Sequence, residues 1–219
     1  MSKQSFVRDV PEGYRLAKHI NAAGKRFGII FNVISAILMF AVIYVGWAIF
    51  YNAAKSPINI YTLFGISVSA VTALLYLVLH ELTHGAVYKI ATGEKLKFGI
   101  TGGCAFCGVP HVYVYRKYVL FAALAPLVLF TVLIVPIMAV CLALLNGPHS
   151  EAATVVYLAV SPVLGTNIGG SVGDLYVTYL LLFKFKGKET LVRDTGPEQY
   201  FYVRDLYENE KKEERSGEA

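Results

Sequence analysis

The stretch YTLFGISVSAVTALLYLVLHELTHGAVYKI, residues 61–90, decides the fold of this chain. No charged residue occurs between Tyr61 and Leu79. The whole stretch exceeds the roughly 20 residues that a helix needs to cross the hydrocarbon core of a membrane. An ionisable cluster, His80-Glu81-Leu82-Thr83-His84, follows at its end. Ionisable side chains inside a membrane span are costly and by default mark function. The stretch therefore predicts a membrane helix that carries a functional site.

Three more apolar runs accompany this one, from about Phe27 to Tyr51, from about Tyr118 to Leu145 and from about Ala152 to Phe183. The chain is 56% hydrophobic and 16% charged, whereas soluble domains carry about 25% charged residues. We expect an all-α, multi-pass membrane protein with about four transmembrane helices, and a lipid bilayer as its partner. The net charge of +5 does not predict nucleic-acid binding, because the basic residues flank the spans and no recognition motif accompanies them.

The distribution of Lys and Arg predicts the orientation of the spans. Basic residues occur before span one, between spans two and three and after span four, whereas the other two loops contain only Lys55. By the positive-inside rule, both termini are expected in the cytoplasm of a protein in the cell membrane. The predicted segments are a cytoplasmic arm (1–26), a four-span domain (27–183) and a cytoplasmic tail (184–219) that is disordered from about 208. The sequence does not indicate an oligomeric state.

The segment between spans two and three, about residues 93–117, differs from the rest of the chain. It alternates loosely from Lys95 to Ile100, turns at Gly102-Gly103 and ends in the alternating residues 112–115. This pattern predicts a β-hairpin or a re-entrant loop on the cytoplasmic side. Such a hairpin could lie over the site and offer an edge to an extended peptide, or it could be a connection with no substrate role.

His80 and His84 are four residues apart, so they share one face of a helix and can present two imidazoles to one Zn²⁺ ion. A catalytic zinc site has three protein ligands and an open position for water. Glu81 is placed to act as the general base on the zinc-activated water and then to protonate the leaving amine. These residues predict a catalytic metal site with Zn²⁺ as its cofactor.

Asp174 is the best third metal ligand, because it is the only charged residue in span four up to Phe183. Counted at about 1.5 Å per helical residue from the nearest cytoplasmic lysine, its depth is similar to that of His80 and His84. A bound cation would also relieve the cost of placing a carboxylate there.

The run before Asp174, residues 165–173, is rich in glycine. It predicts either tight helix packing by small residues or a locally unwound helix that makes room for peptide. Asn167, Gly170 and Ser171 are the candidate substrate-binding residues. Asn167 could hydrogen-bond a substrate backbone or an oxyanion, or it could serve helix packing.

Cys104 and Cys107 form a Cys-x-x-Cys pair, with His111 four residues beyond. A second metal site or a redox pair is conceivable. A structural zinc site normally needs four ligands, however, and at most three occur nearby. The role of this pair is left open.

The chain resembles a family of small multi-pass membrane proteins classed as zincin peptidases. The resemblance rests on His-Glu-x-x-His at 80–84, on Gly-Ser-x-Gly-Asp at 170–174 and on the lead-in at 10–14. More distantly, the chain is similar to the site-2 class of intramembrane metalloproteases. In that class an Asp in a later span completes the zinc site, which implies the same role for Asp174.

We therefore expect a zinc-dependent membrane metallopeptidase that cleaves a peptide or membrane-protein substrate within or beside the membrane. The alternative is a non-catalytic zinc-binding membrane scaffold or sensor, which would hold zinc without turnover. A metal transporter is disfavoured, because spans one and three offer almost no polar residues that continue toward the outer face.

Overall fold

The computed structural model describes residues 4–22, 24–101 and 104–205. In this part of the chain, four helical segments are long and apolar enough to cross a membrane. They are α1 (Lys25–Ala53), α2 (Ile60–Thr92), α3 (Arg116–Leu144) and a composite segment of α4 (Ser150–Gly170), α5 (Val172–Tyr179) and a π-helical turn (Leu180–Lys184). The four predicted helices are confirmed, and their bounds lie within a few residues of those expected. Each helix covers one long uncharged run of the sequence.

The chain divides into two compact units. Among the described residues, the first, here called the sheet unit, lies within the ranges 4–28, 84–124 and 174–205. The second, the helical unit, comprises residues 29–83 and 125–173. Each unit is built from segments that are distant in sequence, so each depends on long-range packing.

The helical unit is held together by small apolar clusters and by close approach of α4 to α1. Fully buried Phe50 and Tyr157 stack in one cluster, with ring centroids 5.6 Å apart. Gly165 and Gly169 in α4 lie directly against α1, where an added Cβ would come within 2.6 Å of the Ile43 side chain and of the Ser35 carbonyl oxygen, respectively. The tight-packing interpretation of the glycine run therefore holds for these two glycines.

In the described part of the chain, the sheet unit contains an antiparallel sheet of five strands in the order β1-β5-β6-β7-β2. A separate hairpin pairs β3 with β4. The strands are β1 (Phe6–Val7), β2 (Arg15–Asn21), β3 (Lys97–Thr101), β4 (Cys104–Gly108), β5 (Tyr113–Tyr115), β6 (Lys188–Asp194) and β7 (Glu198–Asp205).

The core of the sheet unit joins the sheet to helix ends. Each of β5, β6 and β7 contributes fully buried residues, among them Val114, Val192 and Phe201. They pack in one cluster with Val119 of α3 and Leu181 of the π-helical turn. This packing explains why strands as short as two and three residues persist, since burial of their side chains supplies stability that the short ladders lack.

The fold differs from the all-α expectation in having this five-stranded sheet. The predicted hairpin is confirmed as β3–β4, but the alternating residues 112–115 contribute β5 to the larger sheet instead. Residues 200–203, which carry an aromatic stretch, lie in β7. The turn predicted at Gly102-Gly103 and the disorder predicted from about 208 lie outside the described residues.

Candidate metal centre

The predicted metal-binding motif, residues 80–84, lies in the C-terminal part of helix α2. His80, Glu81 and His84 form a group in which one ligand atom of each residue lies within 4.8 Å of the others. Both histidines are buried, at 6% and 8% exposure, and Glu81 is partly buried. The group could hold a metal ion. The i, i+4 spacing of the two imidazoles along one helix accounts for their approach.

The ring of His84 is oriented by a backbone carbonyl of α3. Its Nδ1 lies 2.8 Å from the carbonyl oxygen of Ala122. A carbonyl can only accept a hydrogen bond, so Nδ1 carries a proton, and in the neutral ring the lone pair is then on Nε2. Imidazoles that ligate metals are commonly fixed by a hydrogen bond of this kind from the other ring nitrogen.

Asp174, in the first turn of α5, lies on the ligand side of the His84 ring. Its Oδ1 is 3.5 Å from Nε2 of His84. Two donor atoms bound to one tetrahedral zinc ion at about 2.0–2.1 Å lie about 3.3 Å apart, so the observed distance suits two ligands of one ion. The relation of Asp174 to His80 and Glu81 stays a prediction.

The ring of His80 is oriented by side chains of the helical unit. Its Nδ1 lies 2.6 Å from the hydroxyl of Tyr76, one helical turn earlier. The same hydroxyl donates to Oδ1 of Asn167 in α4 at 2.7 Å. Nδ2 of Asn167 in turn donates to the Leu127 carbonyl at 3.2 Å and to Thr131 at 3.0 Å, both in α3.

The donor set fits zinc. Each histidine uses Nδ1 for a hydrogen bond within the protein, which leaves Nε2 as the ligand atom, and a carboxylate lies beside His84. Two imidazoles and a carboxylate are a common ligand set of catalytic zinc, with one position left for water. His80 and His84 are therefore the residues of the motif that would hold an ion, and Asp174 as the third ligand stays a prediction.

The three candidate substrate-binding residues have different surroundings. Asn167 is fully buried, and its amide is engaged by residues of α2 and α3. Gly170 is exposed, and a Cβ there would meet no atom within 4 Å. Ser171 lies at the break between α4 and α5, fully buried, and its hydroxyl lacks a hydrogen-bond partner among the described residues. A substrate-binding role for each stays a prediction.

The β3–β4 hairpin lies against α2 immediately after the motif. A Cβ at Gly85 would come within 2.8 Å of the Phe98 ring and 3.3 Å of Sγ of Cys107. Glycine at this position therefore lets the hairpin approach the helix beside His84. Cys107 is buried in this contact. A substrate role for the hairpin stays a prediction.

A buried carboxylate stands one helical turn beyond His84. Oδ2 of Asp194, at the end of β6, accepts hydrogen bonds from the Tyr88 hydroxyl at 2.9 Å and from Nε2 of Gln199 at 3.1 Å. Oδ1 accepts from the backbone N–H of Gly196. Burial raises the pKa of Asp194 to about 6, although these donors and the nearby His84 oppose the rise. The carboxylate ties α2 to the β6–β7 turn.

Sequence reasoning identified the metal-binding motif but missed the groups that orient its histidines and the buried carboxylate that accepts a hydrogen bond from Tyr88. Tyr76 had a usable signal, because it lies four residues before His80 on the same helical face. The Ala122 carbonyl and Asp194 had none, since only the tertiary structure brings a backbone oxygen and a turn carboxylate to α2.

Comparison with known proteins agrees with this geometry. The family model described as "putative zincin peptidase" matches residues 73–188, more than half of the 219-residue chain and including the motif, Asp174 and the hairpin. No curated protein and no solved structure matches the chain. The extent of the family match shows that the chain belongs to the zincin peptidase family so described.

Proposed function

We propose that this protein is a zinc-dependent metallopeptidase of the cell membrane, with a site that is reached from the cytoplasm. Family membership and the motif support the peptidase assignment. The observation that carries the proposal is the arrangement of the motif. Both imidazoles place Nδ1 against a partner in the protein, and one ligand atom each of His80, Glu81 and His84 lies within 4.8 Å of the others.

The exposure of the apolar helices supports membrane insertion. None of the most hydrophobic window of α1 is buried within the protein, and only 17% and 11% of the corresponding windows of α2 and α3 are buried. In water, so much contiguous apolar surface would drive aggregation. In a bilayer the same surface meets lipid, and the helices satisfy their own backbone hydrogen bonds.

The positions of basic residues support a cytoplasmic site. Lys89 follows the motif in α2, and Lys184 follows Asp174 in the composite helix. If these lysines mark the cytoplasmic surface, His84 and His80 lie roughly 7 to 14 Å from it along α2. Both termini are then cytoplasmic. Water reaches the site from that side.

The residues divide the chemistry of peptide hydrolysis among them. His80, His84 and Asp174 would hold the ion, the histidines through their ring nitrogens and Asp174 through its carboxylate. When bound, zinc supplies positive charge that acidifies water and polarises a peptide carbonyl. Glu81 would remove a proton from the attacking water, whose oxygen forms a bond to the carbonyl carbon. Glu81 would then transfer that proton to the amide nitrogen as the C–N bond breaks and the amine leaves. The products are a carboxylic acid and an amine.

The proposed substrate is an extended peptide or a segment of a membrane protein at the cytoplasmic end of the helices. A helical substrate would have to unwind, because its amide bonds are protected by hydrogen bonds within the helix. The break at Ser171 and the open surface at Gly170 are consistent with room for such a segment.

The test is a Glu81→Gln variant compared with the parent protein in lipid nanodiscs. Glutamine preserves size and hydrogen bonding but cannot take the proton. We expect zinc content to stay the same while peptide cleavage, followed by mass spectrometry of casein peptides and single-span membrane proteins, falls by about 10²- to 10⁴-fold. Undiminished cleavage by the variant would contradict the mechanism.

The alternative, a non-catalytic zinc-binding scaffold or sensor, gives a different result in the same experiment. It predicts one bound zinc ion in both proteins and no cleavage by either. The position of Glu81 in the ligand group favours catalysis, because a scaffold needs no base there.

A further inference from the structure

We propose that Tyr76 and Asn167 are positioning residues for the metal site: through a directed chain of hydrogen bonds they hold His80 in the tautomer that is protonated on Nδ1. This inference rests on the proposed zinc site. It is carried by contacts within the helical unit alone, and it gives Asn167 a role other than substrate binding.

The direction of the chain is set at Asn167. One end of its amide lies 3.2 Å from the Leu127 carbonyl oxygen. A carbonyl oxygen has no proton to give, so the amide atom that faces it must be the donor Nδ2. Oδ1 is therefore the atom that faces the Tyr76 hydroxyl. Thr131, 3.0 Å from Nδ2, accepts a second hydrogen bond from the amide and strengthens this orientation.

The hydroxyl of Tyr76 fixes the direction of the next hydrogen bond, the one to His80. A phenol carries one proton, and at 2.7 Å from the acceptor-only Oδ1 of Asn167 that proton is committed. The hydroxyl can then only accept from the ring nitrogen 2.6 Å away, which is Nδ1 of His80. Nδ1 must carry the hydrogen.

The consequence falls on the other ring nitrogen. A neutral imidazole with its proton on Nδ1 has its lone pair on Nε2, the atom required for a metal bond. Tyr76 and Asn167 are both buried, at 2% and 0% exposure, so water does not compete for these hydrogen bonds. These hydrogen bonds thus hold the His80 ring in the metal-binding tautomer before an ion binds.

The inference is tested first without metal. The full-length protein in nanodiscs is labelled with ¹⁵N-histidine, stripped with a chelator and studied by NMR at about pH 8.5, where ordinary imidazoles are neutral. The chain has five histidines, so a His80→Gln sample assigns the His80 signal. We expect His80 protonated on Nδ1, and a mixture of tautomers in Tyr76→Phe. Protonation of His80 on Nε2 in the parent protein would overturn the inference.

Zinc affinity provides the second readout, measured by competition with a chelator. Loss of a group that orients a metal-binding histidine typically costs about 10- to 100-fold in affinity, and we expect this loss in Tyr76→Phe. Tyr157→Phe is the matched control: it removes another buried hydroxyl of the helical unit, which donates to the Gly46 carbonyl at 2.9 Å. Equal losses in the two variants would show that the effect is one of general stability and would contradict the proposal.

A double variant tests whether Asn167 acts through Tyr76. Asn167→Leu should weaken zinc binding, but adding it to Tyr76→Phe should cost little more, because the chain is already broken. Additive losses of zinc affinity would show that Asn167 does not act through Tyr76 and would contradict the proposal. If the parent protein binds no zinc, the proposed function fails. The tautomer of His80 in the metal-free protein still decides whether the hydrogen bonds from Asn167 and Tyr76 set its protonation.

Discussion

The two histidines of the motif lie one helical turn apart, yet they are supported in different ways. His80 is oriented by side chains, Tyr76 and then Asn167, within the helical unit. His84 is oriented by a backbone carbonyl, that of Ala122, within the sheet unit, where it also meets Asp174. A side-chain support can be removed by one substitution, whereas a backbone support is lost only if the chain moves. A single substitution can therefore remove the hydrogen bond that orients His80, whereas none removes the carbonyl that orients His84.

The largest expected effect tests whether both ends are needed. We expect His80→Ala and His84→Ala each to weaken zinc binding by more than about 100-fold, beyond the usual cost of losing a supporting contact. His111→Ala is the control, because His111 is exposed and outside the ligand group. Zinc affinity by chelator competition is the measurement. A normal affinity in either motif variant would show that the two ends do not share an ion.

A second effect concerns the sheet unit, where the carboxylate of Asp194 is buried. Its folded pKa of about 6 lies above the ordinary value of 3.8. As the pH rises from about 4 to about 6, the unfolded state ionises before the folded one. The free energy of unfolding should therefore fall, by up to about 3 kcal/mol. Asp194→Asn should remove this component from the pH dependence of thermal unfolding of the metal-free protein.

Asp205 provides a control of opposite sign for that measurement. Its pKa is lowered by hydrogen bonds from Lys188 and Arg15, so its contribution to stability is present at neutral pH and lost as the pH falls. Asp205→Asn should leave the Asp194 component intact. An Asp194→Asn protein whose unfolding depends on pH as the parent's does would contradict the assignment of a buried, reluctantly ionised carboxylate.

The smallest effect concerns the helix that carries Asn167. A Cβ at Gly169 would meet the Ser35 carbonyl oxygen at 2.6 Å and Met39 at 2.8 Å, whereas at the adjacent Gly170 it would meet nothing. Gly169→Ala should lower stability by about 1 to 3 kcal/mol, the usual cost of overpacking. Gly170→Ala should be neutral or slightly stabilising, because alanine favours helix. Thermal unfolding in nanodiscs compares them. Equal stabilities would contradict the close packing of α4 on α1.

Gly170→Ala also bears on substrate binding. With stability unchanged, a rise in KM for peptide cleavage would support the substrate role predicted for this position.

The helices could be predicted from the sequence, but the sheet could not. Uncharged runs of more than 20 residues have few alternatives to a membrane helix. The strands of the large sheet are short, and their partners are distant: Phe6 pairs with Val114, and Leu16 with Tyr202. Local alternation indicates that a strand is possible, but it does not identify a partner almost two hundred residues away. The expectation of four helices with a small hairpin therefore missed the five-stranded sheet.

The site shows the same division between local and distant information. His80, Glu81 and His84 are close because the helix makes them so, and the motif alone predicts their group. Asp174 could be proposed from its isolation in an apolar span, and its contact with His84 is consistent with that argument. The hydrogen bonds that orient the histidines depend on the packing of α3 and α4 against α2. This packing cannot be predicted from the sequence of any one helix.

The most direct test of the central claim is X-ray absorption at the zinc edge of the purified protein, together with metal analysis. We predict one zinc ion per chain with two imidazole nitrogens at about 2.0–2.1 Å and carboxylate oxygen at a similar distance. One imidazole should be lost in His84→Ala. Absence of bound zinc, or a spectrum dominated by sulfur at about 2.3 Å, would contradict the account, because the ion would then be absent or held by cysteine.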